Sequence, residues 1–155
     1  MQKDFSKQLI KGKIAEMVFD QMFRKAGDYT VIPFGYETII PELMQYTDQA
    51  NKKELLDNIR SAPDFALVSH DPKQVHLVEV KYRSRIDMEE IKKTAQLICD
   101  RWKLVWLFVA SSEGFYFDAC NGLEEKSELT LLSEELVSKN VQDEFLSLIK
   151  GFIQN

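Results

Sequence analysis

PDFALVSHDPKQVHLVEVKYRS, residues 63–84, reads as two strands folded back on a single turn. DFALVS and VHLVEVKY are rich in the β-branched and aromatic residues that suit a pleated surface. HDPKQ between them carries turn chemistry, with Asp71 suited to a turn's first position and Pro72 to its second. Successive strand side chains point to opposite faces. Leu77, Glu79 and Lys81 therefore share one face, and Val78, Val80 and Tyr82 the other. An acid and a base stand together in the middle of what reads as a core strand.

The turn also sets a register. Centred on Asp71 and Pro72, it pairs 70 with 73 and 69 with 74, and carried along the strands it sets Asp64 opposite Glu79. Directly opposed residues share a face, with Cβ atoms roughly 4.5–5.5 Å apart, and like charges so placed destabilise a sheet. A slip of one residue would send Asp64 to the other face and remove the conflict. A divalent cation between the carboxylates also resolves it. Mg²⁺ takes oxygen ligands in octahedral geometry, commonly one or two carboxylates with waters and phosphate oxygens. Asp64 and Glu79 supply the carboxylates, and the backbone carbonyl of Val80 is a candidate further ligand. Lys81 stands one step away on the same face. Its ammonium can orient an attacking water, neutralise developing negative charge or, with a lowered pKa, act as a base. The sequence leaves these roles open.

Around the hairpin, hydrophobic periodicity marks the other elements. Residues 4–26 read as a long amphipathic helix, with Ile14, Ala15, Val18, Phe19, Met22, Phe23 and Ala26 on one stripe and Gly27 as the stop. Glu16 falls just beyond the edge of that stripe, one turn after Gly12, at the boundary of the core. YTVIPFGYE (29–37) reads as a strand, placed at an edge or bulge by Pro33. Residues 38–60 suggest an irregular excursion with a short helix. Helical period returns over 86–102, with Met88, Ile91, Ala95, Ile98 and Trp102 on one face. LVWLFVA (104–110) and GFYFDA (114–119) follow as strands, and residues 140–153 as a final amphipathic helix with Asn140 as its N-cap. The order predicts an α/β fold, a central mixed sheet flanked by helices, in one domain spanning 1–155.

Bulk properties bound the function. The chain has 155 residues, 45% hydrophobic and 29% charged, as an ordinary globular protein does. The N-terminal stretch has no continuous apolar segment, so no secretory leader is expected. The longest apolar run, at 104–110, is far too short for a membrane span. Cys99 and Cys120 lack metal-ligand spacing and read as free thiols of a reducing cytoplasm. The net charge of −5 opposes simple attraction to nucleic acid, but it is unevenly placed. Residues 1–112 carry 17 Lys/Arg against 16 Asp/Glu, and residues 113–155 carry 3 against 9. A polyanion partner for the first part therefore remains open.

Each short feature has a plain reading. A Glu-x-Lys pair is usually a solvated sheet face, a Pro-Asp step a turn signal, and a flanking helix acid a solubilising charge. Their order is what stands out: helix with Glu16, strand, Pro63-Asp64 opening a hairpin, Glu79-Val80-Lys81 closing it. That order resembles the PD-(D/E)xK nuclease superfamily, which includes restriction endonucleases and Holliday-junction resolvases. Pro63 and Asp64 match its PD pair, Glu79, Val80 and Lys81 its (D/E)xK triplet, and Glu16 the acid often found on its first helix. The resemblance spans about residues 10–110 as an arrangement of elements.

It implies a restriction-endonuclease-like αβββαβ core and Mg²⁺-dependent hydrolysis of DNA phosphodiesters by metal-activated water, with Mn²⁺ as an alternative ion and RNA not excluded. By the same resemblance Asp64 and Glu79 hold the metal, Lys81 positions water, and Glu16 contacts the metal directly or through water. Gln96 matches a glutamine that some relatives carry on the next helix, although Asp100 stands where a related pattern has tyrosine. Arg83 and Arg85, beside the triplet, are candidate phosphate contacts. Lys92, Lys93, Arg101 and Lys103 are interspersed with acids and read equally as a solvated face. One small subunit carries one site, so a double-strand cut calls for a homodimer or sequential nicks. The competing class is a catalytically silent nuclease-fold module that binds nucleic acid or a protein.

Overall fold

The computed structural model describes residues 2–35 and 61–153. The strand expectation for residues 36–37 and the short helix expected within 38–60 lie outside the described residues. Helix α1 runs Gln2–Ala26, followed by strands β1 (Tyr29–Pro33), β2 (Phe65–His70) and β3 (Lys73–Tyr82). Helix α2 (Met88–Arg101) leads to β4 (Val105–Ser111) and β5 (Gly114–Ala119). A 3₁₀ turn at Cys120–Glu125 and helix α3 (Lys139–Ile153) complete the order.

The fold is α/β, with a five-stranded mixed sheet ordered β1-β2-β3-β4-β5 among the described residues. Three of its pairings are antiparallel, and β3 with β4 is parallel, joined by the crossover helix α2. Alternation along the strands gives the sheet two apolar faces. Val78, Val80 and Tyr82 of β3 join Phe108 and Ala110 of β4 under α1 and α3. There the Phe19 ring lies 4.7–5.1 Å from those of Phe23, Phe65 and Phe108. On the other face Leu107 and Val109 pack against Ile91 and Ala95 of α2 and Leu123 of the 3₁₀ turn. Leu77, Glu79 and Lys81 belong to this second face.

Local signals account for most boundaries. Gly27 ends α1 in the left-handed region at φ 88°, where a Cβ is penalised. Asp87 caps α2, its carboxylate accepting from the N–H groups of Glu89 and Glu90. Among the described residues β1 lies at one edge of the sheet and ends at Pro33, as a residue without a donor favours. The opposite edge, β5, is covered by a following segment: Phe117 N–H donates to Thr130 O and Leu132 N–H to Phe115 O, both at 2.9 Å.

Two expectations are corrected. Helix α3 begins at Lys139, and its cap is Ser138 rather than Asn140. The Ser138 carbonyl accepts from Gln142 N–H at 3.0 Å, and its hydroxyl from Val141 N–H at 3.5 Å. In the hairpin, His70 pairs with Lys73, so Asp71 and Pro72 are the second and third turn residues, joined by a cis peptide. The register itself is the expected one, from His70 with Lys73 to Phe65 with Val78. Among the described residues no helix is long and apolar enough to cross a membrane.

Candidate active site

Asp64 is the residue immediately before β2, and the next step of the β2–β3 register sets it opposite Glu79. Its backbone and side chain are held from two directions. The Asp64 carbonyl accepts from Phe34 N–H at 2.9 Å and Gly35 N–H at 3.1 Å, tying it to the end of β1. Its Oδ2 accepts from Val80 N–H at 2.8 Å. That bond leads the carboxylate across to β3, beyond the last strand pair. N–H and C=O of one strand residue point to the same neighbour. The Val80 carbonyl is therefore turned toward the side on which Asp64 lies.

Glu79 completes the pair. Its carboxyl group lies close enough to that of Asp64 for each to perturb the other's titration. Its side chain is 14% exposed, and Lys81 Nζ lies 3.3 Å from its Oε1. Burial, and then the charge of Glu79, push the Asp64 carboxyl up to about 8; the Val80 N–H and Lys81 act in the opposite direction. Burial also raises Glu79, against the lowering effect of Lys81. Two desolvated acids facing each other are expensive to ionise together. The fold thus holds two facing carboxyls whose ionisation is disfavoured by burial.

Glu16 acts on this pair from α1. Its charge raises the pKa of both Asp64 and Glu79. Its own side chain is partly exposed and pairs with Lys13 Nζ at 3.2 Å. Among the described residues no three acid, histidine or cysteine side chains converge as a metal-ligand cluster. The convergent set is two carboxylates, the Val80 carbonyl and a neighbouring ammonium, with a third acid within electrostatic range. This donor set is all oxygen and suits a hard cation that keeps several waters, such as Mg²⁺ or Mn²⁺.

The remaining sequence candidates are placed differently. Arg83 is engaged by Glu90 of α2, through Nε at 2.7 Å and Nη2 at 2.5 Å, and donates from Nη1 to the Tyr82 carbonyl. Glu90 Oε2 is buried with no hydrogen-bond partner. Arg85 is exposed and lines a separate cleft at the end of β3. Gln96 is exposed on α2 and donates to Asp100 Oδ1 at 2.9 Å, one turn along the helix. Nothing ties it to the carboxylates. The two histidines lie elsewhere, His70 bonded to Thr30 at the hairpin and His76 edge-on to the Trp106 ring.

The chain matches no protein-family model and no curated protein. The functional reading therefore stands on the geometry.

Two features of the site escaped the sequence reading. The clamp on Asp64 from β1 and from Val80 N–H depends on where three strands end, which residue types do not encode. The Cys120 thiol lies close enough to Glu79 to feel its charge, and burial above all pushes that thiol up to about 12. It lies close enough to the Cys99 thiol for each to shift the other's titration, and both are free. Their proximity follows from α2 packing on the 3₁₀ turn. Spacing alone offers no signal for it.

Proposed function

We propose that this chain is a Mg²⁺-dependent nuclease of the PD-(D/E)xK type, with a restriction-endonuclease-like core, that hydrolyses DNA phosphodiester bonds. The observation that carries the reading is the pairing of Asp64 with Glu79 on one desolvated sheet face, with Lys81 Nζ 3.3 Å from Glu79. A silent sheet surface has no need of opposed carboxyls pinned by a backbone N–H. The order helix, three strands, helix, strand among the described residues supports the same core.

In this reading Asp64, Glu79 and the Val80 carbonyl hold the ion. When bound, Mg²⁺ supplies the positive charge that polarises the phosphodiester and acidifies a water. A bound cation would favour the ionised form of both Asp64 and Glu79. Glu79 then holds the Lys81 ammonium by ion pairing, fixed beside the place where phosphate oxygens gain negative charge. Glu16 adds negative potential from α1, favouring cation uptake directly or through a water. Arg83, held by Glu90, shapes the strand end rather than reaching freely for a phosphate. Mn²⁺ suits the same ligands, and RNA is a second substrate to test. The free thiols Cys99 and Cys120 suit a cytoplasmic protein.

The test is a panel of supercoiled, linear, single-stranded and branched DNA plus RNA, incubated with Mg²⁺ or Mn²⁺. Cleavage is expected of at least one DNA form, blocked by EDTA and lost in Asp64→Ala. No cleavage of any form would leave the silent binding module as the better reading.

A further inference from the structure

A second concave site lies beyond the carboxyl ends of the parallel strands β3 and β4. It encloses about 420 Å³ and is lined by Arg85, Ile86, Glu113, Tyr116, Glu128 and Leu129. Ile86, Leu129 and Tyr116 belong to the apolar cluster on the α2 face of the sheet. The cleft therefore shares a face with Glu79 and Lys81. Arg85 follows Lys81 by four residues, so the two lie at most roughly 13 Å apart along the chain. The carboxyl ends of strands in open α/β sheets are where such folds commonly take ligands.

Three exposed charged side chains line the cleft, Arg85, Glu113 and Glu128. Arg24, Lys25, Lys81, Arg83 and Lys126 each sit in an ion pair with an acid. Arg85, Glu113 and Glu128 line one cleft, yet none pairs with another or with any other described residue. Glu113 is held in place by a turn, its N–H donating to Ser111 Oγ at 3.1 Å while that hydroxyl donates to Gly114 O. Two carboxylates against one guanidinium disfavour a phosphate as the occupant. The nearby start of α2 is no alternative anion site, because Asp87 already caps it.

The lining instead suits a flat ring that carries N–H donors. Tyr116 contributes an aromatic ring to the lining, Ile86 and Leu129 apolar side chains, and the two carboxylates can accept hydrogen bonds. Amino groups on the base edges of cytosine, adenine and guanine are such donors, and a carboxylate is the usual acceptor for the cytosine amine. Stacking on an aromatic side chain is how unpaired bases are commonly held.

We infer that this cleft binds an unpaired, amino-bearing nucleobase next to the cleavage site, with Arg85 on the adjoining phosphate. The inference rests on the nuclease reading and narrows it: the substrate has a single-stranded or splayed nucleotide near the scissile bond. A base within an intact duplex is stacked and cannot enter.

The test uses the wild-type protein in EDTA, so that binding is read without cleavage. Free GMP, AMP, CMP and UMP are titrated by calorimetry, and labelled single-stranded and duplex oligonucleotides by fluorescence anisotropy. Nucleotides with an exocyclic amine are expected to bind more tightly than UMP, and single strands more tightly than duplex. Glu113→Gln with Glu128→Gln should weaken the amino-bearing ligands roughly tenfold. Tyr116→Leu should weaken all bases by a similar factor. Binding of free nucleotides but not of oligonucleotides would overturn the substrate role. Equal binding of UMP, or affinities unchanged by the substitutions, would overturn the base site. Base-selective binding of both ligand forms without any cleavage in Mg²⁺ would support the cleft and remove the nuclease reading. Cleavage with no base selectivity would do the reverse.

Discussion

Asp64→Asn is expected to make the metal-free protein more stable at alkaline pH while removing its metal site. The Asp64 carboxyl titrates near 3.8 when unperturbed and is raised to about 8 in the fold. Between those values the folded state keeps a proton that the unfolded chain has released. The stability contributed by the protonated group is therefore present in full below pH 3.8 and is lost as pH rises through about 8. At about 1.4 kcal/mol per pKa unit, the shift sets a ceiling of about 6 kcal/mol on that loss. Half of it, about 3 kcal/mol, corresponds to about 6–12 °C in Tm for a chain of this size. Asparagine keeps an oxygen that can accept from Val80 N–H and carries no charge at any pH. Urea denaturation in EDTA, followed by the fluorescence of Trp102 and Trp106, measures the effect. The variant should match wild type near pH 4, gain on it steadily to pH 8, and hold a constant advantage above. A variant less stable than wild type at pH 9, or a pH-independent difference, would refute the desolvated pair.

Other substitutions separate the roles around that pair. Lys81→Met should reduce cleavage by at least a hundredfold while metal still binds, because the ammonium is placed for charge stabilisation rather than ligation; turnover and calorimetric metal affinity, measured together, check the split. Phe19→Ala removes the ring against which Phe23, Phe65 and Phe108 pack, and should cost about 3–5 kcal/mol in urea denaturation with the metal site intact.

The hairpin was legible because its signals agree. A two-residue Asp71-Pro72 turn and the alternation along β3 leave one register that buries Phe65, Leu67, Val78 and Val80, and that register sets Asp64 opposite Glu79. Helices α1 and α2 were legible for a similar reason, each having a continuous apolar stripe. The stretch after β5 was not. Leu123, Leu129, Leu132 and Val137 are buried there, but they sit in a 3₁₀ turn, irregular segments and a bend with no repeating period. Side-chain partners were the least legible. Arg83 looked free for phosphate, yet the first turn of α2 brings Glu90 to it, a meeting fixed by helix placement. Gln96 follows the buried Ala95 and so turns about 100° away from the packed face, where Asp100 is its neighbour.

The central claim is that Asp64 and Glu79 hold a divalent cation, and a Mg²⁺ titration followed by thermal unfolding at pH 8 tests it most directly. A ligand that binds only the native state must stabilise it, by about 2.7 kcal/mol at a hundredfold excess over Kd. Wild type should therefore rise by about 5–10 °C in Tm at saturating metal, and Asp64→Ala should not shift. No rise in the wild type, or an equal rise in both proteins, would contradict the account.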